Sequence, residues 1–219
     1  MSFNLYNFNK KELTNINIEL PRHEWIHKWG IDEYGARMLY GLVIDKKPEV
    51  IIETGTFEGQ GTYVLAQAAH INNNKCRIYT IDYDGDPTSD SISKEEWLNL
   101  KKVRDNNLNK IKTEFSNCEI IFLDGDSRQM IPKIFDPIGK YRETKCDLFY
   151  QDSMHFIEGI KDEWELVEPN IIKNSVIIFD DLQLKGVKTF RDWFVKNYND
   201  KYDILEKLEG HEQLIVCKI

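Results

Sequence analysis

The stretch Glu49–Thr62, EVIIETGTFEGQGT, starts as a strand and finishes as the opening of a helix. Val50, Ile51 and Ile52 form a short apolar run between Pro48 and Gly55, as expected of a strand covered on both faces. Glycines at 55, 59 and 61 then carry the chain through a tight turn, and the spacing beyond them predicts a helix over 60–71. A strand that turns through glycines into a helix is the first half of a βαβ unit.

The same rhythm continues outward. CRIYTID (76–82), CEIIFLD (118–124), CDLFYQD (146–152) and SVIIFDD (175–181) are apolar, β-branched and aromatic runs. Helical spacing separates them over 93–112, 126–135 and 156–170, with further helices at 31–46 and 187–198. YDILEKLEG and HEQLIVCKI then read as an antiparallel close to the sheet. The fold class expected is α/β, a Rossmann-like open sheet of about seven mostly parallel strands, the last antiparallel, with helices on both faces.

Composition bounds the function. A chain of 219 residues with 41% hydrophobic content can bury one sizeable core. A net charge of -8 argues against a surface for nucleic acid or anionic lipid, and no apolar run approaches the roughly 20 residues that span a bilayer. Cys76, Cys118, Cys146 and Cys217 lie in or beside apolar runs without metal-type spacing, which suits reduced thiols in a cytoplasmic protein.

In an open parallel sheet, ligands bind outside the carboxyl ends of the strands, where strand order reverses. Each of the first five predicted strands closes on an acid: Glu53, Asp82, Asp124, Asp152 and the pair Asp180-Asp181. One such acid is ordinarily a cap or turn former, but five at successive strand ends suggest a shared purpose. The turn after Glu53 suits a dinucleotide or S-adenosylmethionine, since glycine permits close backbone approach and a helix N-terminus follows. Its glycines fall as G-x-x-x-G-x-G, whereas the dinucleotide fingerprint is G-x-G-x-x-G. Acids at Glu53 and Glu58 also favour a cationic ligand, while Asp82 could hold ribose hydroxyls in either class.

Together IIETGTFEGQGT, IYTID, FLDGDSRQMIP and the block from Cys146 to Leu182 resemble the motifs of class I S-adenosylmethionine-dependent methyltransferases. The E-x-G-x-x-x-G form is that of small-molecule O-methyltransferases, and the D-S-x-H turn with its D-D pair is similar to the bacterial macrocin-type sugar O-methyltransferases. The resemblance implies a methyltransferase domain over 35–219 preceded by a cap segment over 1–34. It implies that Glu53 and the turn at Gly55, Thr56, Phe57 and Gly59 hold the methionine part of S-adenosylmethionine, with Asp82 on the ribose. Asp126 and Ser127 would lie near the adenine, and Asp152 would border the cofactor. Asp152, Asp180 and Asp181 match metal-ligand positions, Mg²⁺ being the expected ion, and homodimers are common in the family. Gly61 stands where many relatives carry serine, leaving Thr62 as the nearest hydroxyl.

Methyl transfer from a sulfonium is an in-line displacement, and holding its partners collinear can contribute up to about 7–11 kcal/mol. A neutral alcohol is a poor nucleophile, so a cation held by carboxylates would lower the hydroxyl's pKa. His155 lies three residues after Asp152, where catechol-type relatives place a lysine base. It is therefore the candidate proton acceptor, with support of a metal-bound aspartate or capping of the following helix as its other uses. The expected reaction is methylation of a hydroxyl on a sugar, polyol or secondary metabolite, with metal-independent N-methylation and nicotinamide-dependent oxidoreduction as alternatives. Trp25, Trp29 and Trp97 with Tyr83 are candidates for a lid or pocket wall, packing in the core or between helices being the commoner use of such aromatics.

Overall fold

The structure is a computed structural model and describes residues 31–73, 75–83, 93–207 and 212–219. The expected cap over 1–34, apart from residues 31–34, and the tryptophans Trp25 and Trp29 lie outside the described residues.

The alternation read in the sequence forms. Helix α1 (Glu33–Lys46) is capped by Asp32, whose carboxylate accepts from Gly35 N at 2.6 Å. Then follow β1 (Val50–Thr54), α2 (Gln60–Ile71), β2 (Cys76–Asp82), α3 (Lys94–Glu114) and β3 (Cys118–Asp124). Next come α4 (Ser127–Phe135), β4 (Cys146–Gln151), α5 (Ile157–Val167), β5 (Ile171–Phe179) and α6 (Lys185–Tyr198). Strands β6 (Tyr202–Lys207) and β7 (Gln213–Lys218) complete a seven-stranded sheet ordered β3-β2-β1-β4-β5-β7-β6. Strands β1 to β5 pair in parallel, and β7 inserts antiparallel between β5 and β6. Strand order therefore reverses between β1 and β4, which is where a crevice opens.

Every residue of β1 is buried, because helices cover both faces. On one face α1, α2 and α3 bury Leu39, Val43, Val64, Leu65 and Ile111 against Ile78 and Leu148. On the other, α4, α5 and α6 surround an aromatic centre. Trp164, fully buried, stands edge-on to Phe194 at 5.1 Å and to Phe179 at 6.0 Å between ring centroids. Such pairs add about 0.5–1.5 kcal/mol each beyond burial.

The largest boundary difference from the sequence reading is at β5. Strand β5 begins at Ile171 rather than Ser175, because Lys173 and Asn174 bulge outward and break the apolar run. Its register with β4 jumps from Cys146↔Ile171 to Leu148↔Val176, and Asn174 takes φ 70 to make the bend. No described helix is long and apolar enough to cross a membrane.

Candidate functional site

The first turn packs against the fourth strand. Gly55 adopts φ 91, and its N–H donates to Ile81 O at 2.9 Å. A Cβ there would collide with the backbone carbonyl of Asp152, so only glycine lets the β1 turn lie directly on the β4 turn. Phe57 follows at φ 47, and its N–H donates to Asp82 Oδ2 at 2.7 Å, while Tyr83 N–H donates to Oδ1 at 2.8 Å. Asp82 thus shapes the glycine turn as well as facing the crevice. Gly59, at φ 87, starts α2 without a side-chain cap. Thr56 is buried, with its hydroxyl 2.5 Å from that of Thr80.

Beneath the turn lies Glu53, 0% exposed. Thr62 donates to its Oε2 at 2.5 Å, whereas Oε1 has no partner among the described residues. Burial pushes this carboxyl up to about 7, the hydrogen bonds from Thr62 and Thr80 holding it back in part. A Cβ at position 61 would strike Oε1, which explains Gly61: the carboxylate fills the space that a side chain would take.

At the ends of β4 and β5 the structure gathers Asp152, His155 and Asp181, one possible ligand atom from each lying within 4.8 Å of the others. His155 Nε2 is 3.0 Å from Asp181 Oδ2. Asp181 holds φ 57, a conformation that aspartate tolerates better than most residues. Asp180 is not in this group. It is 2% exposed, its Oδ2 accepts from Tyr150 OH at 2.5 Å and Gln213 Nε2 at 3.0 Å, and its Oδ1 accepts from Asp181 N at 2.9 Å. Tyr150 OH also reaches Asp152 Oδ2 at 3.2 Å and so spans the two acids. Burial, then the charges of Asp180, Asp181 and Glu53, hold the Asp152 carboxyl well above the usual range, and burial raises Asp180 as well. The two carboxylates of Asp152 and Asp181 fit a divalent cation, whose charge would offset this crowding.

On the β3 side, Asp126 caps α4 by accepting from Arg128 N at 2.9 Å, and its carboxylate pairs with the Arg128 guanidinium at 2.6 Å. That pairing holds Asp126 below the usual carboxylate range. Ser127 is buried and donates its hydroxyl to Glu163, a residue of α5 that sequence reading passed over. A signal was present: Glu163 falls on the same helical stripe as the buried Ile160, Trp164 and Val167, where an acid is out of place.

A cleft of about 180 Å³ lies between the β1 turn, the end of β2, α3 and the turn after β4, lined by Gly55, Phe57, Asp82, Trp97, Arg104 and Asp152. Trp97 therefore forms part of the wall, and Arg104, also unremarked in the sequence, lies with its guanidinium 4.3 Å from the Phe122 ring centroid. Tyr83 is half exposed.

A family model described as a methyltransferase domain matches residues 52–182, more than half of the 219 residues. No curated protein sequence matches the chain. Among solved structures it is similar to the O-methyltransferase TomG from Streptomyces achromogenes, in complex with SAM. The identity is 13%, covering 89% of this chain and 83% of that one, with a TM-score of 0.63. It is also similar to an O-methyltransferase from Bacillus cereus in complex with SAH, at 14% identity, 88% and 84% coverage and a TM-score of 0.64. CalS11, a calicheamicin methyltransferase, shares 21% identity over 93% of this chain and 88% of its own, with a TM-score of 0.59. At such identities the likeness is one of fold. The matched segment, however, runs from β1 through the acids that follow β5, and on that match the chain belongs to the methyltransferase domain family.

Proposed function

We propose that the protein transfers a methyl group from S-adenosylmethionine to a hydroxyl of a small molecule, with a divalent cation at Asp152 and Asp181. The observation that carries this reading is the seating of Gly55 on the Asp152 backbone, which brings the glycine turn beside the cluster of Asp152, His155 and Asp181. Solved relatives of the same fold include O-methyltransferases in complex with SAM and SAH.

In this reading the turn from Gly55 to Gly59 receives the methionine part of the cofactor, Glu53 attracts its ammonium, and Asp82 accepts from the ribose hydroxyls. The cation, when bound, makes the acceptor hydroxyl more acidic. Asp181 orients the ring of His155: with Nε2–H donated to the carboxylate at 3.0 Å, Nδ1 is the nitrogen that takes the acceptor's proton. Tyr150 and Gln213 keep Asp180 out of the ligand set and in support of Asp181. The acceptor reads as a sugar, polyol or secondary metabolite. Free cysteines at 76, 118, 146 and 217 suit a reducing compartment such as the cytoplasm.

Calorimetry with S-adenosylhomocysteine, with and without Mg²⁺ or Mn²⁺, tests the reading. Micromolar binding of the nucleoside is expected, together with cation binding that Asp181→Asn weakens at least tenfold. Absence of binding by both S-adenosylhomocysteine and S-adenosylmethionine would refute the methyl-donor assignment. Cation binding unaffected by Asp181→Asn would refute the metal assignment alone.

A further inference from the structure

Glu163 is a fully buried carboxylate that reaches three loops at once. Its Oε1 accepts from Ser127, at the head of α4, and from Ser153 at 2.6 Å, in the turn after β4. Its Oε2 accepts from Thr54, the last residue of β1, at 3.3 Å. Ser153 also lies 3.1 Å from the Thr54 hydroxyl, so the three donors form one connected group. A buried carboxylate costs several kcal/mol of desolvation unless such donors surround it, and an apolar residue would fill the same stripe of α5 at no such cost.

Two of the three loops line the crevice. Thr54 and Ser153 flank the contact between Gly55 and Asp152, and Ser153 itself lines the cleft. Ser127 opens the α4 segment on the β3 side. Ser127 and Ser153 meet on one oxygen, so the carboxylate ties the two turns that line the cleft to the head of α4, one hydroxyl from each.

We infer that Glu163 is a positioning residue that holds the methionine end of the cleft, the turns at Thr54 and Ser153, against the head of α4 at Ser127. The inference rests on the reading of this cleft as the S-adenosylmethionine site. A ligand that uses the methionine end depends on that placement, while one that lacks the amino-acid part does not.

The test compares S-adenosylhomocysteine, which spans the cleft, with 5′-methylthioadenosine, which lacks the amino-acid end, by calorimetry and competition. Glu163→Leu removes the acceptor and keeps the volume, so circular dichroism and Tm are expected to report a folded protein. In this variant the Kd of S-adenosylhomocysteine should rise at least tenfold and that of 5′-methylthioadenosine less than threefold. Glu163→Gln, which keeps a carbonyl oxygen for Ser127 and Ser153, should leave both within threefold of wild type. Equal weakening of both ligands, no weakening of either, or a Gln variant that behaves like Leu overturns the proposal. If the Leu variant fails to fold, the double variant Thr54→Val/Ser153→Ala must show the same split, and its absence overturns the proposal equally. A wild-type chain that binds no S-adenosylhomocysteine overturns the cofactor reading and this inference with it, whereas wild-type binding without the split overturns this inference alone.

Discussion

Glu53→Gln should remove a pH dependence of stability that the wild-type chain carries. Glu53 is fully buried, and its carboxyl is raised from the ordinary 4.5 to about 7. Below pH 4.5 the proton is bound in both folded and unfolded chains, and its contribution to stability is fully present. Between 4.5 and about 7 the folded chain holds the proton more tightly than the unfolded one, so stability falls as pH rises. Above about 7 the loss is complete. At about 1.4 kcal/mol per pH unit, a shift of this size amounts to about 3 kcal/mol. Glutamine has nearly the same shape, can still accept from Thr62, and carries no charge. Other buried acids titrate in both proteins and cancel in the difference, except that loss of the Glu53 charge also relieves Asp152, which adds in the same direction. Urea denaturation followed by circular dichroism at several pH values from about 5 to 8 measures this. The advantage of the variant over wild type should grow with pH by about 2–3 kcal/mol. A difference that stays flat over that range would show that Glu53 is ionised throughout in the folded protein and refute the reasoning.

Gly55→Ala should cost more than about 2 kcal/mol, combining positive-φ strain with the collision at Asp152 O, and should abolish binding of S-adenosylhomocysteine by calorimetry. Trp164→Ala should destabilise the chain by about 3–5 kcal/mol in denaturant titration while its far-UV spectrum keeps the α/β signature, since the ring is fully buried among Phe179, Phe194, Tyr198 and Tyr202. Thr62→Val should cost about 1.5–3 kcal/mol at pH 8, where the hydrogen bond it deletes goes to an ionised carboxylate, and less at pH 5, as read from Tm at the two pH values.

The sheet could be read from the sequence because its central strands are continuous apolar runs and its helices carry a different period, two signals that local chemistry imposes. The acids at strand ends were legible for a topological reason, since the reversal of strand order dictates where ligands sit. The different surroundings of Asp180 and Asp181 were not. Which of two adjacent acids approaches Asp152 and His155 depends on Tyr150, on Gln213 arriving from β7, and on the positive φ at Asp181, none of which has a local signature. His155 was legible as a member of the turn, but its approach to Asp181 depends on where α6 begins: a Cβ at Gly186 would strike the His155 carbonyl. Glu163 went unseen because acids are common on helices, and only its place on a buried stripe sets it apart.

The insertion of β7 between β5 and β6 bears on the order in which the molecule is made. Strands β1 to β3, with Asp82, need only segments that leave the ribosome early and pair with near neighbours in sequence. Asp180 must wait for Gln213, and Leu182 N for Glu212 O at 2.7 Å, both supplied by the segment synthesised after all the other strands. A nascent chain can therefore assemble β1 to β3 first and complete the surroundings of Asp180 only when β7 enters the sheet.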